Sequence, residues 1–128
     1  MYDDEILADL LNKIQNCLNK IQLRVQSIDA ASDLTNSHEG VERLDLLCMP
    51  LIVIGELVKK IDKITNRSLL KKYPVIPWGE IKGMRNIVVH DYFNIDAEEI
   101  FNTCKEDIPK LAEVINLIIS DLKADQNS

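Results

Sequence analysis

Residues 4–30 read DEILADLLNKIQNCLNKIQLRVQSIDA, and this stretch sets the expected fold class. Its apolar side chains recur in alternating steps of four and three residues, which places them on one face of a helix. They are Leu7, Leu11, Ile14, Leu18, Ile21, Val25 and Ile28. The spacing predicts a long amphipathic helix that packs this face against the rest of the chain.

The next part of the chain predicts a second helix from Val41 to Ile64. Apolar residues nearly encircle its axis, so this helix is either central to a bundle or shared with a partner chain. Pro50 inside it is expected to produce a kink, because proline removes a backbone donor and clashes with the preceding turn. The polar segment 32–40 is expected to be a connecting loop that buries little.

Two more helices are expected after residue 76. Pro77 suits the first turn of a third helix that runs to about His90. Asp96 and Glu99 form a capping-box pattern that opens a fourth helix, which Pro109 is expected to bend. The chain holds four glycines and four prolines and has no sustained alternation of apolar and polar residues, so strands are not expected. The sequence predicts an all-α, up-and-down bundle of four to five helices.

Length and charge limit the function classes. At 128 residues the chain has the size of one domain, and we expect a single domain over 1–128 with a frayed tail at about 124–128. Fifteen Lys and Arg residues against 21 Asp and Glu residues give a net charge of -6. This excludes a protein that coats nucleic acid through its overall charge, so any RNA or DNA site must be local.

The cysteines and the apolar runs bear on the compartment. Cys17, Cys48 and Cys104 form no C-x-x-C pair and have no histidine at metal-ligand spacing, so we expect reduced core residues. No apolar run approaches the roughly 18 residues of a membrane span, and the first residues are acidic where a signal peptide is basic. A cytoplasmic protein is expected, with no membrane association, no metal and no cofactor.

Residues 85–92, RNIVVHDY, concentrate the polar chemistry of the chain. On a helix Asn86 and His90 would share a face, Arg85 and Tyr92 would point in a similar direction, and Ile81, Met84 and Val88 would form an apolar stripe. The guanidinium group suits a phosphate, and the imidazole can move a proton near neutral pH, which are the minimum parts for phosphodiester chemistry. The alternatives are a core histidine bonded to a backbone carbonyl, an arginine in a salt bridge and an ordinary half-buried tyrosine.

This segment resembles the HEPN superfamily and, within it, the HepT-like toxins of prokaryotic HEPN/MNT toxin–antitoxin pairs. The shared motif is R-x-x-x-x-H-x-Y, here Arg85, His90 and Tyr92, with Asn86 directly after the arginine. The resemblance covers roughly residues 41–115. It extends through Ile54-Gly55-Glu56, Tyr73-Pro74-Val75-Ile76-Pro77-Trp78 and Ile108-Pro109.

The resemblance implies a homodimer that places two copies of the motif in one cleft, and a metal-independent RNA endonuclease activity. Arg85 would bind the scissile phosphate, His90 would act as general acid or base, and Asn86 would orient the phosphate or the catalytic pair. The 2′-hydroxyl of the RNA would be the nucleophile. Tyr92 would be the residue that a cognate MNT-domain nucleotidyltransferase antitoxin modifies with AMP. The resemblance also allows for a larger toxin–antitoxin complex that contains the homodimer.

Several residues around the motif keep two interpretations. Lys71, Lys72 and Lys82, with the neighbouring basic residues of 59–67, either attract RNA locally or form a solvated helix face. Glu56 either pairs near the motif or across the dimer, or reaches solvent. Trp78 is assigned to the core and not to base stacking.

The rival function is a non-catalytic helical subunit of a nucleotidyltransferase complex, or a nucleotide-binding HEPN module. A purely structural bundle is the third possibility. Both predict that replacing His90 by alanine has no effect beyond stability, whereas the nuclease hypothesis predicts loss of cleavage.

Overall fold

The computed structural model describes residues 3–89 and 92–126, and every regular element in these ranges is helical. The all-α prediction is confirmed. The α-helices of the described ranges are α1 (Asp4–Val25), α2 (His38–Ile64), α3 (Trp78–Lys82), α4 (Met84–Val89), α5 (Ala97–Asn102) and α6 (Ile108–Gln126). Short 3-10 turns lie at Ala31–Leu34, Leu70–Lys72 and Tyr92–Asn94, and a π-turn lies at Thr103–Asp107.

Helix α1 buries the apolar face that its sequence predicts. The Asp3 carboxylate caps its first turn by accepting the Ile6 backbone N–H at 3.1 Å. The helix ends at Val25 and not near residue 30, although Ile28 beyond its end is still fully buried. The Asp33 carboxylate accepts the next free backbone N–H groups, those of Asp29 and Ala30, and so offers the chain an alternative to another helical turn.

The segment after α1 is more compact than the polar loop expected for residues 32–40. Leu34 is fully buried, although six of the nine residues of 32–40 are exposed, as expected of a polar segment that buries little. A Cβ atom on Gly40 would collide with the carbonyl oxygen of Asp33, so the turn packs directly on the start of α2. Ser37 caps that helix through its hydroxyl, which accepts the Gly40 N–H. The short 3-10 turn and an early start of α2 therefore replace most of the loop.

Helix α2 is central to the bundle and contacts α1, α3, α4 and α5. It runs through Pro50, and most of its apolar residues are buried. An exception is the stripe formed by Leu46, Met49 and Val53, which are 49%, 63% and 36% exposed. We call these three residues the α2 stripe. Their exposure shows that the apolar belt of α2 exceeds what the bundle of one chain covers.

The expected third helix is broken into α3 and α4. The backbone N–H of Gly83 bonds to the carbonyl groups of Gly79 and Glu80, at 3.2 and 3.1 Å, and ends α3 one residue before α4 begins. A single helix from 77 to 90 is therefore wrong, although its apolar stripe is right. Ile81, Met84 and Val88 are all buried.

The C-terminal part contains the predicted cap and an interruption at the predicted proline. The Asp96 carboxylate accepts the Glu99 backbone N–H at 3.1 Å and opens α5. The π-turn at Thr103–Asp107 ends two residues before Pro109, whose ring nitrogen carries no hydrogen to donate to a regular helical ladder. Helix α6 then continues to Gln126. The tail expected to fray includes 127–128, which lie outside the described residues, and its fraying stays a prediction. None of the helices within 3–89 and 92–126 is long and apolar enough to cross a membrane.

Candidate active site

Helix α4 presents Arg85 and Asn86 to solvent from an anchored base. Met84 and Val88 are only 5% and 3% exposed and hold the helix to the core, whereas Arg85 and Asn86 are both exposed. Arg85 makes no ion pair with any described residue, so the described ranges give no support to the salt-bridge alternative. His90 lies outside the described residues. Two of the three predicted catalytic residues are therefore exposed neighbours on α4.

Gly55 of α2 allows the end of α3 to approach α2 closely. A Cβ atom added to Gly55 would lie 2.9 Å from the carbonyl oxygen of Ile81 and 3.4 Å from that of Lys82. Both contacts are to backbone atoms, which cannot rotate away. Gly55 belongs to the residues that carry the family resemblance, but no sequence pattern indicates its role. Its role here is to let the α3–α4 segment pack against α2.

Lys82 forms a second tether between this segment and α2. Its ammonium group pairs with the Asp62 carboxylate, and the two side chains are 30% and 13% exposed. The pair lines a cavity of about 400 Å³ together with Lys59, Lys63 and Arg67. Three further cations against one acid leave this surface, which we call the basic cavity, positively charged.

The other two predicted RNA-binding residues lie outside the basic cavity. Lys71 and Lys72 are exposed in the 3-10 turn at Leu70–Lys72. Part of the charge of Lys82 is offset by Asp62, which the sequence did not indicate because the two residues are 20 positions apart. The predicted basic residues therefore form two groups with different surroundings.

Tyr92 lies beside α2 and not on the helix that carries Arg85. It starts the 3-10 turn Tyr92–Asn94, so the expectation that Tyr92 and Arg85 share a helix direction is wrong. Its hydroxyl donates a hydrogen bond of 2.6 Å to Oδ1 of Asp45, while half of the residue stays exposed. This hydrogen bond, with smaller contributions from burial and from the negative charge of Asp45, raises the pKa of Tyr92.

An exposed aromatic ring contacts Tyr92, and other exposed apolar residues lie near it in the sequence or next to its hydrogen-bond partner. The ring of Phe93, which is 92% exposed, contacts the Tyr92 ring edge to face at 5.6 Å between centroids. Val89 at the end of α4 is 48% exposed. Asp45, the hydrogen-bond partner, directly precedes Leu46 of the α2 stripe. The surface around Tyr92 therefore combines a polar hydroxyl with uncovered apolar side chains.

Trp78 and Glu56 have structural surroundings. Trp78 is 9% exposed and its indole N–H donates to the carbonyl oxygen of Tyr73 at 3.0 Å, which confirms its assignment to the core. Glu56 is half-buried and pairs with Lys59 on the next turn of α2, at 3.5 Å. The partner of Glu56 is thus local, and the described contacts do not connect it to Arg85.

The three cysteines are unpaired, as expected for reduced residues. Cys48 and Cys104 are buried, whereas Cys17 is half-buried. Burial raises the pKa of the Cys48 thiol to about 11 and that of Cys104 to about 12. Both are protonated at neutral pH and serve as core residues.

Comparison with known proteins places this arrangement in a family. A relative from Methanocaldococcus jannaschii, named as a candidate RNase, is 42% identical over 79 residues, which are 61% of this chain and 62% of the relative. A second protein of that organism with the same kind of name is 42% identical over 73 residues, 57% of this chain and 60% of its own. A Thermococcus cleftensis protein named "Probable ribonuclease HepT" is 41% identical over 61 residues, 48% of this chain and 52% of its own.

The alignments span about three fifths or less of the length of these curated relatives. No solved structure matches the chain. The model of the family described as "Ribonuclease HepT-like" matches residues 14–118, which are 105 of the 128 residues and include all of α4. The chain therefore belongs to the ribonuclease HepT-like family of the HEPN superfamily.

Proposed function

We propose that this protein is a HEPN-type RNA endonuclease that cleaves RNA without a metal ion. The observation that carries the proposal is that Arg85 and Asn86 are both exposed on α4, whose other side is buried against the core. This helix lies within the region that the family model matches. A guanidinium group without a carboxylate partner among the described residues is free to bind a phosphate. The names of the relatives support the same activity.

The proposed reaction uses the 2′-hydroxyl of the RNA as nucleophile. One His90 acts as general base and accepts the proton of the 2′-hydroxyl as the 2′-oxygen attacks the neighbouring phosphorus. A protonated His90, the same one or that of the second protomer, acts as general acid and donates a proton to the leaving 5′-oxygen. Arg85 stabilises the charge that develops on the phosphoryl oxygens, and Asn86 orients the phosphate. The products are a 2′,3′-cyclic phosphate and a 5′-hydroxyl. DNA is not a substrate because it lacks the nucleophile.

We propose a homodimer with one cleft formed by two copies of the motif. The α2 stripe supports this proposal because three uncovered apolar residues on one helix face favour contact with a matching surface. A two-fold axis through the stripe would pair it with itself. Asp45 adjoins the stripe and bonds to Tyr92, so such an interface would adjoin the candidate site.

RNA would reach the cleft through local positive charge. The basic cavity carries Lys63 and Arg67 in addition to Lys82, which pairs with Asp62, and Lys59, which pairs with Glu56. Lys71 and Lys72 are exposed in the separate 3-10 turn that follows. These groups would contact the sugar–phosphate backbone and would make binding sensitive to salt. They would compensate locally for the net charge of -6.

We further propose that the protein is the toxin of a toxin–antitoxin pair, neutralised when a nucleotidyltransferase antitoxin transfers AMP to Tyr92. The phenolic oxygen would attack the α-phosphate of ATP and displace pyrophosphate. Half of Tyr92 is exposed, which leaves room for such an enzyme, but its hydroxyl must first release Asp45. The added phosphate would then face the Asp45 carboxylate and put negative charge beside the proposed cleft.

Expression without any partner in a bacterial host tests the proposal. Wild type is expected to arrest growth and leave discrete RNA ends, whereas His90→Ala and Arg85→Ala are expected to do neither while keeping wild-type circular dichroism. Lys123→Ala, which removes an exposed cation of α6, is the matched control and should stay toxic. If wild type and His90→Ala are equally harmless while folded and dimeric, the nuclease proposal is wrong and a binding module replaces it.

The antitoxin proposal needs its own variant. Tyr92→Phe keeps the ring but lacks the acceptor hydroxyl, so it should remain toxic when the nucleotidyltransferase is co-expressed. Tyr73→Phe should be neutralised like wild type. Neutralisation of Tyr92→Phe would show that the antitoxin acts by another route.

A further inference from the structure

A second cleft lies on the side of α4 that does not carry Arg85 and Asn86. It has a volume of about 960 Å³, more than twice that of the basic cavity, and is formed by α3, α4, α5 and the start of α6. Met84 and Ile87 of α4 line it, but Arg85 and Asn86 do not. The two surfaces therefore share one short helix but not its side chains.

The floor of this cleft is apolar. It is lined by four buried apolar side chains, those of Ile76, Ile81, Met84 and Leu111. Val75 at the margin is 77% exposed and Ile87 is half-buried, so apolar surface continues from the floor to the opening. A cleft of this volume can take several side chains of a ligand and not only one.

The margin of the cleft is acidic. Its carboxylates belong to Glu80, Asp96, Glu98, Glu99 and Asp107. Among the described residues that line the cleft, Lys110 is the one cation, which leaves four net negative charges beside the apolar floor. We call this surface the acid-rimmed cleft.

We propose that the acid-rimmed cleft is a docking site for a basic amphipathic helix of a partner protein. Its charge and its floor together select this ligand, since the apolar face of such a helix would cover the floor while its Lys and Arg residues meet the carboxylates. RNA is repelled by the margin, and a small polycation would leave the apolar floor uncovered. The site is distinct from the proposed RNA site, so the helix and RNA do not compete for the same residues.

A synthetic peptide tests this site without any assay of nuclease activity. The probe is a helix of about 14 residues, roughly four turns, with Leu at helical i, i+3, i+4 and i+7 spacing and Lys elsewhere. One control peptide has the same composition in scrambled order, a second has Glu in place of Lys, and spermine tests charge alone. Binding is measured by titration calorimetry, and the site is located by the backbone amide shifts of Ile87, Thr103 and Leu111.

Charge neutralisation in the protein supplies the matched variants. Glu80→Gln/Glu98→Gln/Asp107→Asn removes three exposed carboxylates from the margin, and about a tenfold loss of peptide affinity is expected from three exposed ion pairs. Glu5→Gln/Asp29→Asn/Glu39→Gln removes the same charge elsewhere and should leave the affinity unchanged. Val75→Ser at the exposed margin should weaken the peptide without unfolding the protein.

The amphipathic peptide is expected to bind and to change the backbone amide shifts of residues in the cleft only. Its affinity is expected to fall in the triple variant of the margin and to stay unchanged in the control triple variant. Equal binding of the scrambled peptide, equal loss in the two triple variants, or spermine binding as tight as the peptide would show unspecific attraction to an acidic protein and overturn the proposal. Absence of peptide binding to wild type would overturn it as well.

Discussion

The bundle of α1, α2 and α6 and the segment from α3 to Tyr92 are built in different ways. The bundle buries long apolar faces, with Leu11, Ile61 and Ile115 at zero exposure. The segment consists of short helices held by a few specific contacts and presents its polar residues to solvent. The difference predicts that substitutions in the buried faces of the bundle change mainly stability, whereas substitutions of the exposed polar residues of the segment change mainly the proposed chemistry.

The largest expected effect is in the bundle. Leu11→Ala removes a fully buried side chain and should lower the free energy of unfolding by about 3 kcal/mol, through lost burial and a residual cavity. Chemical denaturation measures the change. Leu23→Ala, on the same helix but 70% exposed, should change stability by less than about 0.5 kcal/mol. Similar losses in both variants would contradict the assignment of the buried face.

Gly55→Ala breaks the contact between the two regions. Its Cβ would press on the backbone carbonyl of Ile81, so we expect a loss of about 2 kcal/mol as α3 shifts from α2. RNA cleavage should fall as well, because α4, which carries Arg85, is separated from the end of α3 by only one residue.

Gly79→Ala is the matched control for that substitution. A Cβ at this position meets nothing within 4 Å, so stability should be unchanged or rise by about 0.5 kcal/mol. Equal destabilisation by both alanines in thermal denaturation would show that the close approach at Gly55 has no special cost.

Arg67, which follows α2, combines a strained backbone with a charge that the proposed RNA site uses. Substitutions at this position can therefore separate an effect on stability from an effect on RNA binding. The φ of Arg67, 60°, lies in the left-handed region that glycine adopts most easily. Arg67→Gly relieves this strain but also gives the unfolded chain more conformational freedom, which favours unfolding. Because the first effect is the larger, we expect the free energy of unfolding to rise by about 0.5 kcal/mol. RNA affinity should fall at the same time, since the basic cavity loses a cation.

Arg67→Ala separates the two effects. It removes the guanidinium group but keeps the Cβ, so RNA affinity should fall without a gain in stability. Filter binding at two salt concentrations and chemical denaturation measure both. A stability gain in the alanine variant would show that charge and not backbone strain is responsible.

The smallest effect on stability is expected at Tyr92, where the measurement is a titration. Asp45→Asn should lower the raised pKa of Tyr92 towards its ordinary value, because the hydrogen bond to a charged acceptor is lost. Because the pKa of Tyr92 is raised in the folded protein, its protonated hydroxyl stabilises the fold. This contribution is complete below the ordinary tyrosine pKa of about 10, and it is lost as the pH rises through the pKa of the folded state. The ultraviolet absorbance of tyrosinate, compared with that of Tyr92→Phe, gives the pKa.

Tyr73 provides an internal control for that titration. Burial and a 2.7 Å hydrogen bond to Asp121 raise its pKa to about 12, and Asp45→Asn should leave this value unchanged. A Tyr92 titration that does not respond to Asp45→Asn would contradict the hydrogen bond between them.

The sequence predicted the bundle better than the segment for a physical reason. Helical periodicity is a local signal, and it identified the buried face of α1. The capping-box pattern is equally local, and it identified the Asp96 cap. The break at Gly83 and the burial of Leu34 depend on how close the backbones pack, which periodicity does not report. The Tyr92–Asp45 and Lys82–Asp62 pairs join residues 47 and 20 positions apart, so no local pattern could indicate them. The roles of Arg85, Asn86 and His90 remain predictions.

The most direct test of the central claim is cleavage of a labelled RNA by the purified protein in the presence of a metal chelator, with analysis of the product ends. The account predicts a 2′,3′-cyclic phosphate and a 5′-hydroxyl from wild type, no cleavage by folded His90→Ala or Arg85→Ala, and no cut in an RNA with a single 2′-deoxynucleotide before the scissile bond. Equal cleavage by His90→Ala, or a cut at the 2′-deoxy position, would contradict it.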